Sequence, residues 1–321
     1  MAFYIARRLF WTIVVVIVVL GITFVVFYKL PAGDPALRFA GKSPTPELLA
    51  EIRHRLALDR PWYVQFGRFV WHFFTGDQYG WPGLGYSFQT NVSVLSEVTA
   101  KAPRTLFLIA GAAVIWLISG VAIGIVSAVK RRSLIDRAAM GFALFGISSP
   151  VFWLGLMGLF IFWRKLHWTG GTGYIPIGQS FTGWFSHLIL PWCVLALLYA
   201  AFYARMTRNN LLETLGEDYI RTARAKGLSE RKVIFKHALR ASLTPIVTMF
   251  GLDIALLVGG AVITESVFNL QGLGRMAIEG ALQQDLPNVL GVVALTAVCV
   301  ALANLVVDIL YAFIDPRVRY A

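Results

Sequence analysis

Apolar positions along the chain gather into six runs separated by polar stretches, and the lengths of those runs predict membrane spans. The first follows Arg7 and Arg8 and extends from about Leu9 to Tyr28. At 1.5 Å per residue, about 20 residues cross a hydrocarbon core of about 30 Å. A signal peptide's apolar region is shorter, roughly 7 to 15 residues, so this run reads as a retained helix. Five more runs, at about Thr105 to Val129, Ala138 to Trp163, Leu188 to Met206, Ile246 to Phe268 and Val289 to Ile314, are each long enough to span. The predicted fold class is an all-α integral membrane protein of six transmembrane helices, with both termini on one side. Gly120 and Gly124, Gly155 and Gly158, and Gly259 and Gly260 fall inside these runs, where small residues let helices approach closely. Ser148 and Ser149 before Pro150 interrupt the third run and predict a kink with locally satisfied backbone.

The polar stretches between runs are unequal. In the long one from Lys29 to Lys101, Pro44 to Leu56 reads as a helix, with Thr45 as cap, Pro46 at the first helical position and Glu47 in the first turn. Trp62, Trp71, Phe73, Phe74 and Trp81 follow, close to predicted membrane ends, and read as an interfacial belt rather than a ligand-stacking site. Gly76 to Gly85 is expected to be irregular. A second polar stretch, Glu213 to Pro245, is helix-forming and too long for a turn between two spans. Within it, Asp218 to Ala225 reads as a short helix ended by Gly227, and Ser229 as the cap of a second helix from Glu230 to Arg240. The expected organisation is an N-terminal transmembrane helix at 1–29, an external region at 30–103 and a five-helix core at 104–321, with a coupling helix at about 213–240.

Composition agrees with a chain in lipid: 57% of residues are apolar, 14% are charged, and mean hydropathy is +0.67, where soluble domains carry about a quarter charged residues. The net charge of +12 would suggest a nucleic-acid partner in a soluble protein, but membrane proteins gather Lys and Arg in short cytoplasmic loops. Lys130, Arg131, Arg132 and Arg137, the segment Arg205 to Arg240, and Arg7, Arg8, Arg317 and Arg319 all fall on one side. Both termini are therefore predicted cytoplasmic. Cys193 and Cys299 lie inside apolar runs and support no disulfide framework, and His54, His72, His167, His187 and His237 have no metal-binding spacing. Gly41, Lys42 and Ser43 imitate the end of a phosphate-binding loop, but Ala36 stands where its first Gly belongs, so ATP is not expected to bind this chain.

Two constellations remain. The basic segment, with Arg221, Arg224, Lys226, Arg231, Lys232 and Lys236, suits either a groove on a soluble partner or anionic headgroups. Asp253, Glu265 and Asp308 lie within or at the ends of apolar runs, where a carboxylate at a helix centre costs roughly 2.5 to 3.5 kcal/mol on insertion scales. Together with Asn304 they are candidates for a polar translocation path. Asp253 and Asn304 sit deepest and would meet a peptide's ammonium terminus or backbone, and Glu265 would line a gate; structural pairing is the alternative. An ion-coupled carrier using the carboxylates as a relay is a second function. An intramembrane hydrolase is disfavoured, because no G-x-S-x-G elbow accompanies Ser148 or Ser149.

Several segments resemble one family. "DYIRTARAKGLSERKV" from Asp218 to Val233 is similar to the cytoplasmic E-A-A-x-x-x-G signature of permeases of ABC importers for oligopeptides, dipeptides and nickel, with Gly227 as the motif glycine. Arg221 stands at the Glu position, Thr222 at the first Ala, and Arg240 where many importers have Pro. "LPAGDPA" at Leu30 to Ala36, "KAPRTLFL" at Lys101 to Leu108, "GGAVITESVFNLQGLGR" at Gly259 to Arg275 and "DILYAFIDPRVRY" at Asp308 to Tyr320 extend the likeness along the chain. The resemblance implies that Asp218, Ala223, Arg224, Ala225, Lys226, Gly227, Leu228 and Ser229 couple the spans to a cytoplasmic ATPase. It further implies a second, homologous permease subunit, two ATP-binding subunits carrying ATP and Mg, and an external solute-binding protein, in a bacterial or archaeal plasma membrane. No cofactor is implied on this chain. Peptide is the substrate expected, with nickel or another small solute as alternatives, carried by rocking of helix bundles.

Overall fold

The structure, a computed structural model, describes residues 2–26, 36–37, 40, 45–55, 58–283 and 285–314. The Gly41, Lys42, Ser43 triplet, the stretch 30–35 and residues 315–321, with Arg317 and Arg319, lie outside the described residues.

The described residues are mostly helical. In order it forms α1 (Ala2–Phe24), α2 (Pro46–Arg55), α3 (Trp62–Thr75), a short antiparallel pair β1 (Tyr86–Ser87) and β2 (Val92–Ser93), α4 (Val94–Val129), α5 (Leu134–Ser148) and α6 (Val151–Lys165). Then follow α7 (Phe181–Leu215), α8 (Asp218–Ala225), α9 (Glu230–Ser242), α10 (Thr244–Val258), α11 (Val262–Val267), α12 (Leu273–Gln283) and α13 (Leu286–Ile314). The second half of α6 and the middle of α9, Val233–Ala238, are π-helical. Among the described residues, by length and composition, α1, α4, α7 and α13 can each cross a membrane, and the bent pairs α5 with α6 and α9 with α10 raise the number to as many as six if each pair is one span.

Two apolar runs depart from straight spans. The third turns through 102° between α5 and α6, where Ser149 is extended before Pro150, which has no N–H to continue the helix. The fifth ends at Val258 rather than Phe268, because Gly260 adopts φ +106°, a conformation that side chains disfavour. Conversely, α4 begins at Val94 rather than Thr105. Apolar length marks the lipid-crossing part of a helix, and the hydrogen-bonded ladder continues beyond it.

The fold divides into two compact units. One comprises Met1–Leu106, Ala255–Glu265 and Leu270–Leu305; the other comprises Phe107–Ile254, Ser266–Asn269 and Val306–Ala321. In the first, α1 packs on α3 through Phe24 against Phe66 and Phe69, with ring centroids 5.5 and 6.3 Å apart. Thr45 accepts the Leu48 N–H at 3.3 Å and starts α2, which buries Ile52. Of the aromatics assigned to a belt, Trp62, Trp71, Phe74 and Trp81 are exposed, whereas Phe73 is buried in the core with Val94 and Leu273. Between Gly76 and Gly85 the only regular pairing is the bridge from Asp77 to Gly80.

In the second unit helices approach closely at the predicted Gly120 and also at Gly146, which the sequence reading does not single out. A Cβ on Gly120 would lie 2.7 Å from that of Tyr203, and one on Gly146 2.8 Å from that of Ala201, so side chains there would push α4 and α5 off α7. A part-buried ion pair fastens the same helices: Arg208 Nε and Nη2 donate to the Asp136 carboxylate at 2.7 and 2.9 Å. Ser127 and the Arg132 N–H also donate to it, filling its remaining acceptor positions.

Candidate functional site: an exposed helix and glycine turn, and three acidic positions

The segment singled out by sequence folds as a helix, a glycine turn and a second helix. α8 is closed by Gly227, whose φ of +76° is left-handed and which has no atom within 4 Å of a Cβ built on it. Glycine is thus required there by backbone conformation, not by crowding. The Gly227 N–H donates to the Arg224 carbonyl at 2.9 Å, and Arg224 Nε pairs with Glu230 at 2.7 Å, tying the two helices across the turn. Ser229 does not cap α9 with its side chain as expected; its carbonyl accepts the Val233 N–H instead.

Of the eight positions assigned to coupling, Ala223 points inward. With Ile220 it is buried in a cluster that includes Ala128, Leu211, Val233 and Ala238. Ile220 and Ala223 are three residues apart, one face of a helix, and seat α8 on the body of the unit. The opposite face is exposed: Asp218, Arg224, Ala225, Lys226, Gly227 and Ser229, together with Tyr219, Arg221 and Thr222. Leu228 is half-buried at its edge. Tyr219 and, on α9, Phe235 are aromatic side chains left open among cations, a feature that periodicity in this basic stretch could have exposed.

The translocation candidates are dispersed. Asp253 on α10 is half-buried and accepts the Tyr203 hydroxyl at 2.7 Å. Beside it, Trp116 stacks on Tyr199 with centroids 4.6 Å apart and meets Phe250 edge-on at 5.8 Å. Glu265 is fully buried. Its carboxylate accepts from Thr105 at 2.7 Å and from the Arg275 N–H at 2.8 Å, and Thr105 in turn accepts the Leu273 N–H. Glu265 therefore anchors the first turn of α12 and the preceding loop, where Asn269 and Gln271 have positive φ. Asn304 on α13 is half-buried, and its side-chain oxygen has no hydrogen-bond partner among the described residues. Asp308 falls within α13 by its backbone.

One further carboxylate was not anticipated. Asp285, just before α13, is buried and accepts from Ser87 at 2.6 Å and from Asn288 at 2.8 Å. Burial pushes its carboxyl above the usual range, with the nearby Glu97 adding to that and the two donors opposing it.

Helices long and apolar enough to cross a membrane, together with the exposed α8 and its glycine turn, fit a membrane transport permease. The chain belongs to the family of binding-protein-dependent transport system inner membrane components: the family model matches residues 120–320, and the model of the membrane component's N-terminal part matches residues 1–109. It is 40% identical, over 98% of both chains, to a putative peptide transport system permease protein of Brucella abortus. It is 37% identical, over 99% of this chain and 98% of the other, to the dipeptide transport system permease protein DppB of Escherichia coli K12. A solved chain from the inward-facing MetNI methionine ABC transporter shares the fold, with a TM-score of 0.54 at 19% identity, covering 69% of this chain and 97% of that one.

Proposed function

We propose that this chain is the membrane permease of an ATP-driven importer that passes peptides received from a solute-binding protein. The similarity to permeases named for peptide and dipeptide transport, which runs nearly end to end, supports the substrate class. The observation that carries the mechanism is α8, held to its own unit by Ile220 and Ala223 while its other face is exposed. A rigid helix seated this way transmits a push on its outer face to α7, α9 and the spans beyond, whereas a tethered loop would absorb it.

In this reading the exposed face of α8 with Gly227 to Ser229 docks on a cytoplasmic ATP-binding subunit, which holds ATP and Mg. A second homologous permease and two ATP-binding subunits complete the complex, the termini face the cytoplasm, and 30–103 meets the binding protein outside. Asp253, Asn304 and Asp308 belong to the path, and Glu265 shapes it through the α12 loop. The test is copurification: ATP-binding subunits expressed with the chain are retained by the wild type and lost with Ala225→Glu. Retention by that variant would contradict the docking face.

A further inference from the structure

Asp253 stands in the apolar stretch of α10 with one hydrogen-bond partner, Tyr203, and no cation beside it among the described residues. A carboxylate in such a place calls for a counter-charge. Its surroundings suit a particular one. Tyr199 and Tyr203 are four residues apart on α7, and Phe250 and Asp253 three apart on α10, so each pair shares a helix face. Trp116, fully buried, lies against Tyr199, Tyr203 and Phe250 at centroid separations of 4.6, 6.5 and 5.8 Å and fixes the aromatic wall. Tyr199, Phe250 and Asp253 are each partly open, while Tyr203 is fully buried and can only orient the carboxylate.

Aromatic faces beside a carboxylate form the chemistry that takes up an organic ammonium, by charge from the acid and by the negative ring faces. We infer that Asp253, with Tyr199 and Phe250, binds the free α-ammonium of a peptide in transit, and that Tyr203 is a positioning residue for Asp253. The inference rests on the peptide-importer reading and deepens it: the permease itself distinguishes peptides with a free amino end.

The complete importer in proteoliposomes is given two peptides of one sequence, one with its α-amine and one desamino, and uptake of each is divided by its loading on the binding protein. The wild type is expected to favour the amine by about tenfold, the value of one charge-assisted contact. Asp253→Asn should abolish the preference, Asp253→Glu should restore part of it, and Tyr203→Phe should weaken it while leaving the complex assembled. An equal preference in wild type and Asp253→Asn would overturn the inference and leave the importer reading standing; uptake of neither peptide by the wild type would overturn both. Should Asp253→Asn fail to assemble, a photoreactive benzoylphenylalanine at Tyr199 replaces it: crosslinks to the peptide's first residue support the site, and crosslinks confined to other residues or absent during turnover refute it.

Discussion

Tyr203 on α7 donates its hydroxyl to Asp253 on α10 across 2.7 Å, and among the described residues Asp253 has no other hydrogen-bond partner. Tyr203→Phe is expected to destabilise the protein by about 1–3 kcal/mol, because it strips a half-buried acceptor of its donor. In the double variant Tyr203→Phe with Asp253→Leu, the loss should be smaller than the sum of the single losses. Thermal midpoints of the purified protein in detergent measure both; additive losses would show that the bond is energetically idle.

The two faces of α8 should respond differently to charge. Ala223→Glu places a carboxylate in the cluster with Leu211 and Val233, so it is expected to lower the thermal midpoint of the isolated chain. Thr222→Glu, on the exposed face, should leave that midpoint within experimental error. Gly227→Ala imposes a Cβ on a left-handed residue at a cost of about 1 kcal/mol, without any clash. Equal midpoints for Ala223→Glu and Thr222→Glu would contradict the inward assignment of Ala223.

Asp136 and Arg208 form a part-buried pair with side chains 6% and 20% exposed. Removing the carboxylate leaves Arg208 without its partner, so Asp136→Ala should cost about 1–3 kcal/mol, while Asp136→Leu with Arg208→Met should cost less. Chemical denaturation in mixed micelles reads the difference.

Asp285 yields a pH dependence. Burial holds its carboxyl above the ordinary value, against the hydrogen bonds from Ser87 and Asn288. The folded chain therefore holds that proton more tightly than the unfolded chain, whose carboxyl titrates near about pH 3.9. The stability contributed is full below that pH and is lost as pH rises through the raised folded value. Asp285→Asn should flatten the slope of thermal midpoint against pH in this window, and an unchanged slope would refute the assignment.

The spans and α8 were legible because each rests on local pattern: runs of apolar residues for the first, and an acidic start with a glycine stop for the second. Helix ends were not, since α4 continues to Val94 past the charged residues Arg104 and Lys101. The inward side of α8 was present in the spacing of Ile220 and Ala223, but the surrounding cations obscured it. Partners distant in sequence left no trace at all. Glu265 reads from sequence as a gate residue or a structural partner, and its hydrogen bond from Thr105, 160 positions away, is not visible in local pattern. Asp136 carries no local sign of its pair with Arg208, which spans 72 positions.

The most direct measurement is peptide uptake into proteoliposomes containing the chain with its partner permease and binding protein, with and without the ATP-binding subunits. Uptake that requires those subunits and ATP, and that persists when ion gradients are collapsed, is the predicted result. Uptake by the membrane chains alone, driven by an ion gradient, would contradict the assignment.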